Sequence, residues 1–468
     1  MSQALLETLK SIVGATFVLT DDADMETYMN EERGLFHERP LAVVRPASAD
    51  EVAKVVVACG AAKVGVVPQG GNTGLVGGAV ANQGSVIVAM GRMNRIRAIN
   101  PEDFTMTVEA GCVLQDIREA ADAAGCLFPL SLGAQGSCQI GGNLATNVGG
   151  INTLRYGTAR DNVLGVEAVL PDGRVWNGLR ALTKDNTGYS LRNLFVGSEG
   201  TLGIITAAVL KLYPKPVAVE TAFCGLSDLD AALPLLDRAR RYSGDSVSAF
   251  ELICRTGVEM STTHLVGVSD PLEGTHPWYA LVEFSSTHDG EGLRADFEKF
   301  LESAFEDGII ADAVIAESLE QARMLWRIRE ELPEAQKHEG GSIKHDVSVP
   351  VRSVPDFIRR ASAAVVAAMP GTRPVPFGHM GDGNIHFNVS QPVGADKDAY
   401  LARWHEMGKV VYDIVDELGG SFSAEHGVGR LKVEDLARYR SAVEIDLLKR
   451  IKAAIDPQGV MNPGVYFG

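Results

Sequence analysis

An excess of basic residues is missing from this 468-residue chain: 43 Lys and Arg face 60 Asp and Glu, a formal net charge of −17. Without a basic field there is nothing to displace the counterions of a nucleic-acid backbone, which excludes a nucleic-acid partner. Long apolar runs are missing too. None approaches the roughly 18 residues that a membrane helix needs. The start MSQALLETLKSIVG carries neither the basic head nor the cleavage site of a secretory leader. Cysteine is sparse, with six residues at 59, 112, 126, 138, 224 and 254 and no C-x-x-C spacing. An iron–sulfur cluster and a cysteine-built zinc site are thereby excluded, and a reducing cytoplasm is the expected setting. Also absent are a G-x-G-x-x-G that follows a strand and opens a helix, and a Walker sequence.

What is present is globular: 46% hydrophobic and 22% charged residues, in a chain too long for one core. Two or three domains are expected. Ser48 and Glu51 form a capping box ahead of apolar residues at 52, 55, 56 and 59, which predicts a helix. A strand at 64–67 follows, then strands at 85–89 and 105–109, and a helix over 113–124 stopped by Gly125. Three glycine-rich stretches punctuate this half: PQGGNTG at 68–74, LGAQGSCQIGGNLATNVGG at 132–150 and GSEGTLG at 197–203. The second is too rich in glycine to be a regular helix or strand throughout. Such loops let backbone N–H groups approach a phosphate closely. Beyond Tyr213-Pro214-Lys215-Pro216, strand–helix–strand patterns recur at 217–252, 278–315 and 342–389, as in an antiparallel sheet with helices on one side. An amphipathic helix over 443–455 precedes the tail Asn462-Pro463-Gly464.

The densest signal is Pro376 to Asn388, PFGHMGDGNIHFN. Asp382-Gly383 favours a two-residue type I′ turn, which would pair Gly381 with Asn384, Met380 with Ile385 and His379 with His386. Paired residues share a face with β-carbons roughly 5 Å apart, so the two imidazoles suit one metal ion, or else a hydrogen-bonded polar hairpin. Asn388 points the same way. Ser423-Ala424-Glu425-His426-Gly427 offers a carboxylate ligand and a spare histidine. In 325–332, Arg329 falls on the face of Leu325, Trp326 and Leu332. A guanidinium there needs an anion, whether a ligand or an internal glutamate. Lys344, in an alternating strand beside Asp346, reads by itself as an exposed cation.

PQGGNTGLVGG, CQIGGNLATNVGG, RYGT at 155–158 and GSEGTLGIIT resemble the FAD domain of the vanillyl-alcohol oxidase/para-cresol methylhydroxylase superfamily. GHMGDGNIHFN, SAEHGVG and DPQGVMNPG resemble its branch of D-lactate, glycolate and D-2-hydroxyglutarate dehydrogenases. The resemblance implies an α+β fold in three parts. Residues 1–215 would form an FAD-binding domain of two α/β subdomains. Residues 216–420 would form a substrate-binding cap with a large antiparallel sheet and flanking helices. Residues 421–468 would form a helical segment that completes the active site and packs on the FAD domain.

By the same resemblance FAD is held by Gln69, Gly70, Gly71, Asn72, Thr73 and Gly74 around its pyrophosphate. Ser131, Gly136, Ser137, Gly141, Gly142, Asn143, Thr146, Asn147, Gly157, Glu199, Gly200, Gly203, Ile205 and Asn462 serve the rest of the cofactor. His37 is the only histidine before His264, so a histidyl–flavin bond is not expected and FAD is non-covalent, with Cys138 a small buried residue rather than a thioether site. His379, His386 and Glu425 are the implied ligands of a divalent metal, Zn²⁺ first and Mn²⁺, Fe²⁺ or Co²⁺ as alternatives. His426 is the acid/base, and Arg329, Lys344 and Asn388 bind substrate. One departure stands out: Pro333 occupies the position, four after the arginine, where D-2-hydroxyglutarate enzymes often carry a hydroxyl residue.

The expected activity is therefore FAD- and metal-dependent oxidation of a D-2-hydroxyacid (D-2-hydroxyglutarate, D-lactate or D-malate). Electrons would pass to an electron-transfer flavoprotein, a quinone or a cytochrome. A homodimer and peripheral membrane attachment are family expectations. The alternatives are a glycolate oxidase-like flavin subunit, a non-catalytic FAD-binding subunit, and a non-haem metal oxygenase built on two histidines and a carboxylate.

Overall fold

The computed structural model describes residues 2–82, 84–288 and 290–467. The chain divides into two compact units: 1–150 with 156–215 and 425–468, and 151–155 with 216–424.

The first unit holds two larger sheets and a two-stranded one, Cys126–Leu127 with Tyr213–Pro214. Val18–Leu19, Ala42–Val44, Val86–Ala89 and Val66–Gln69 lie side by side in that order, and the last three are parallel. The second sheet is antiparallel, in the order Ile96–Asn100, Thr105–Glu109, Ile204–Lys211, Val163–Val169, Val175–Asn177. The capping box forms: the Ser48 hydroxyl accepts from the Glu51 N–H at 3.2 Å and the Glu51 carboxylate from the Ala47 N–H at 2.7 Å. That cap opens the helix Ala49–Ala61, which buries Val52, Val55, Val56 and Cys59.

The second glycine-rich stretch is irregular over most of its length, as expected, with one short helix, Ile140–Thr146, inside it. Glycine is used there for proximity rather than freedom. A Cβ on Gly141 would lie 2.7 Å from the Ala110 Cβ, so only glycine lets this short helix approach the neighbouring strand end.

The second unit is built on a seven-stranded antiparallel sheet. Its order is Ile310–Ile315, Ala218–Leu226, Trp278–Ser286, Val247–Cys254, Arg373–His379, Asn384–Ser390, Ser342–Ser348. Helices cover both faces, not the one expected. Leu281 packs with Val258, Leu325 and Leu332 of the helical segments on one face. Phe284, three residues on and so on the other face, meets Phe297 and Phe300 of the helix Gly290–Glu306 with ring centroids at 4.8 and 5.2 Å. A strand covered on both sides loses its polar alternation, and Val247–Cys254 is buried at every position.

Candidate active site

In the first unit the three glycine-rich segments converge. Glu199 N–H bonds the Ala145 carbonyl at 2.8 Å and Gly197 N–H the Leu144 carbonyl at 3.0 Å, tying the third segment to the second. A Cβ on Gly200 would collide with the Pro68 ring, and one on Gly71 with the Ser137 carbonyl, so the first segment is locked against both others. Between them lies a cavity of about 380 Å³, within the range of small-molecule sites.

Its walls fit a flavin nucleotide. Gln69 to Gly74, Gly141, Gly142, Asn143, Thr146, Glu199, Gly200, Gly203 and Ile205 all line it. At Gly74 and Gly142 a Cβ would meet nothing within 4 Å, so bare backbone faces the space a ligand would fill. The side-chain oxygen of Gln139, buried in the wall, has no donor among the described residues. Cys138 also lines the cavity, and burial pushes its thiol above the usual value, which disfavours a reactive thiolate. Ser131, Gly136, Ser137, Asn147, Gly157 and Asn462 do not line the cavity. Gly157 takes a positive φ of 77° in a turn against Asp161, and the Asn147 amide oxygen accepts from the Arg160 N–H. Asn462 clamps the loops from beneath, its amide donating to the carbonyls of Gly78 and Glu199 at 2.9 and 2.6 Å.

Glu425 and His426 line the same cavity, on the C-terminal segment of this unit. The Glu425 carboxylate accepts from the Gly150 N–H at 2.9 Å. The residues after them are held by Glu199, expected only as a cofactor contact. Its carboxylate accepts from the Val428 and Gly429 N–H groups at 2.8 Å each. Burial raises the Glu199 pKa, against the pull of those two N–H groups. In sequence Glu199 looks like one more residue of a loop, since its partners lie far along the chain.

In the second unit one face of the sheet carries the remaining candidates. The hairpin of 376–388 forms, but two residues out of the expected register: His386 sits opposite Phe377, not His379. Asp382 does not take the positive φ that a type I′ turn requires at both central positions; Gly383 alone in the turn does, at 85°. The chain closes instead through a four-residue loop, Met380–Gly383, with Gly383 N–H on the Met380 carbonyl at 3.2 Å. A slip of two preserves the face. His379 and His386 remain on one side as diagonal neighbours, with ring centroids 5.4 Å apart.

The next strand adds Lys344 opposite Asn388 and Asp346 opposite His386. Arg329 reaches this face from the helix Leu319–Glu330 and is 7% exposed. Its anion is internal: Nε donates to Glu251 Oε2 at 2.5 Å. Glu251 Oε1 bonds His379 Nδ1 at 2.6 Å. Burial works to raise the Glu251 pKa, yet its pairing with His379 and Arg329 outweighs this and holds it at about 2. The Asn388 amide donates to Gln336 Oε1 at 2.7 Å. Gln336 Nε2 and the hydroxyls of Ser342 and Ser390 are buried with no hydrogen-bond partner among the described residues. Pro333 falls in the first turn of the short helix Leu332–Ala335, where a missing N–H costs nothing. Glu251 was the residue to find: one acid in the buried run VSAFELIC.

Residues 215–466 match the C-terminal domain of FAD linked oxidases, and residues 40–178 match an FAD binding domain. The chain belongs to the FAD-linked oxidases. This FAD-linked oxidase is 37% identical over 456 residues to D-2-hydroxyglutarate dehydrogenase, mitochondrial, of Arabidopsis thaliana, covering 97% of this chain and 80% of that protein. It is 37% identical over 469 residues to D-2-hydroxyglutarate dehydrogenase of Stutzerimonas stutzeri (strain A1501), covering 99% of each. Among solved structures, p-cresol methylhydroxylase with substrate bound is similar at a TM-score of 0.80 and 18% identity, over 99% of this chain and 96% of that one. Alkyldihydroxyacetonephosphate synthase follows at 0.74 and 18%, over 98% and 84%. At such identities the likeness is one of fold, the para-cresol methylhydroxylase type. Among the described residues no helix is long and apolar enough to cross a membrane.

Proposed function

We propose that this FAD-linked hydroxyacid dehydrogenase uses a divalent metal, Zn²⁺ in the first instance, and oxidises a D-2-hydroxyacid to the 2-oxoacid. D-2-hydroxyglutarate is the leading substrate, with D-lactate and D-malate as competitors. The observation that carries the reading is the single sheet face on which His379, His386, Lys344, Asn388 and Arg329 meet. That is the donor set for a hydroxyl, a carboxylate and a metal. His379, His386 and Glu425 are the proposed ligands. When bound, the metal lowers the pKa of the substrate hydroxyl and the flavin accepts the α-hydrogen with its electron pair.

The chain's own residues do the rest. Arg329 has its Nε tied to Glu251, which leaves the two terminal nitrogens of the fork for the substrate carboxylate. Lys344 adds a second cation and Asn388 an amide. His426 takes the hydroxyl proton on its imidazole nitrogen, since Glu425 beside it is committed to the metal and adjacent side chains diverge.

A shorter acid is the second reading, favoured by Pro333, which offers no donor for a distal carboxylate. Turnover of D-2-hydroxyglutarate against D-lactate separates the two. For the mechanism, His386→Ala should lose metal and activity together. His426→Ala should keep metal and FAD but lose turnover by on the order of a hundredfold to ten-thousandfold. Metal content by elemental analysis, measured beside dye reduction, decides the matter. If His426→Ala empties the site and Glu425→Ala leaves it full, the two roles are reversed.

A further inference from the structure

Glu251 stands in the middle of the buried strand Val247–Cys254 and is 1% exposed. A carboxylate is costly to bury in a sheet, and replacing such an ion pair by apolar side chains is often neutral or stabilising. Stability alone therefore does not explain it. What it does have is two partners in different roles. It lies directly opposite His379 across the strand pair, so the short bond from Oε1 to Nδ1 follows from register. Its other oxygen, Oε2, faces the next layer and takes the Arg329 Nε–H. The Arg329 guanidinium is also held over the Phe377 ring, 4.9 Å from its centroid.

We infer that Glu251 is a positioning residue that sets the proposed metal ligand His379 and the proposed substrate clamp Arg329 through one carboxylate. The inference rests on the metal reading above and goes beyond it. On the His379 side, the bond to Oε1 assigns the ring proton to Nδ1 and the lone pair to Nε2, the tautomer a metal requires, and makes that nitrogen a better donor. On the Arg329 side, anchoring Nε fixes the plane of the fork, so the two terminal nitrogens stay aligned for a bidentate grip. Because one carboxylate serves both, metal affinity and carboxylate recognition are coupled. A substitution at Glu251 frees both partners at once.

The test uses the full-length flavoprotein, stripped of metal and titrated with zinc against a competing chelator. Wild type, Glu251→Gln, Arg329→Gln and the double variant Glu251→Gln/Arg329→Gln are compared, with bound flavin absorbance as the folding control. Glu251→Gln is expected to weaken zinc by about tenfold to a hundredfold, the usual effect of losing a carboxylate behind a ligating histidine. Arg329→Gln should bind zinc close to wild type while raising KM for the hydroxyacid, and Glu251→Gln should raise KM as well. The double variant leaves no uncompensated cation in the core, so it answers the question even if Glu251→Gln alone does not fold. It should show the same zinc loss. Wild type holding zinc while a folded Glu251→Gln or the double variant holds it within about twofold would overturn the inference. A wild-type protein that takes up neither zinc, manganese nor cobalt overturns the metal reading itself, and this inference with it.

Discussion

Gly71→Ala and Gly142→Ala are neighbours in chemistry and should act in opposite ways. A methyl on Gly71 would fall inside the Ser137 carbonyl oxygen and 2.9 Å from the Cys138 Cα. Both are backbone atoms, which cannot swing away, so the first two glycine-rich segments must part by roughly 1 Å, at an overpacking cost of about 1–3 kcal/mol. For a unit of this size that is a fall in Tm of about 2–12 °C. If the strain is borne by the loaded form, FAD binds about tenfold to a hundredfold more weakly. Gly142 is different. Its Cβ meets nothing within 4 Å, and it lies inside the helix Ile140–Thr146, where Gly→Ala is worth about 0.5–1 kcal/mol of helix stability. The flavin-stripped Gly142→Ala protein should therefore melt at or above the wild-type temperature, while FAD affinity falls because the methyl enters the cavity. Thermal melts of stripped and loaded protein, with FAD titrations by fluorescence quenching, measure both effects. Gly142→Ala that binds FAD as tightly as wild type would show that this backbone does not face the cofactor. A Gly71→Ala protein with unchanged Tm would refute the close approach.

Three further outcomes are expected. Glu199→Gln weakens the hold on the Val428 and Gly429 N–H groups, and should slow flavin reduction by about tenfold at full FAD content; an unchanged reduction rate in single-turnover kinetics sinks the idea. Glu109 is buried, which raises its pKa, but Arg95 and Arg97 outweigh this and hold it below the ordinary 4.5. A depressed carboxylate stabilises the fold above its unfolded pKa and loses that contribution as pH falls through its folded pKa, so Glu109→Gln should flatten the acid limb of the stability curve below about pH 4.5, read from FAD release on acid titration. Acid precipitation of the native protein should send the yellow chromophore to the supernatant, since Cys138 is a buried thiol of raised pKa and the three glycine-rich loops carry no histidine of their own; colour retained in the pellet means a covalent bond.

Local signals carried much of the fold. Ser48, Glu51 and the apolar 52–55–56–59 stripe define a helix without outside help, and the strand Thr105–Glu109 falls where β-propensity put it. The shared face of His379, His386, Asn388 and Lys344 was legible because a strand's period of two survives an even slip. The register itself was not. It depends on the φ of 85° at Gly383 and on that residue packing against the Val349 carbonyl, a contact far from the hairpin in sequence. Helices on both faces had a signal in VSAFELIC, whose apolar residues fall on both faces of the strand without regular polar alternation, which fits a doubly covered strand better than a half-exposed one. Arg329 announced its need for an anion, but which anion is a matter of tertiary packing: a glutamate 78 positions earlier. Glu199 is the same kind of case, its partners lying at 428 and 429.

The order in which the ribosome delivers the chain gives the first unit a late finish. The edge strand beginning at Val66 is completed by residues 460–462: Val66 N–H bonds the Val460 carbonyl and Asn462 N–H the Val66 carbonyl, both at 2.8 Å. The whole of the second unit's long segment, 216–424, is synthesised before those bonds can form. The glycine-rich loops therefore emerge early and wait while residues 216–424 are made. Such non-local closure is slow and leaves the early segment open to aggregation. Cofactor loading belongs after translation, and cells short of riboflavin should accumulate the chain as an incompletely closed, protease-sensitive species rather than as a stable apoprotein.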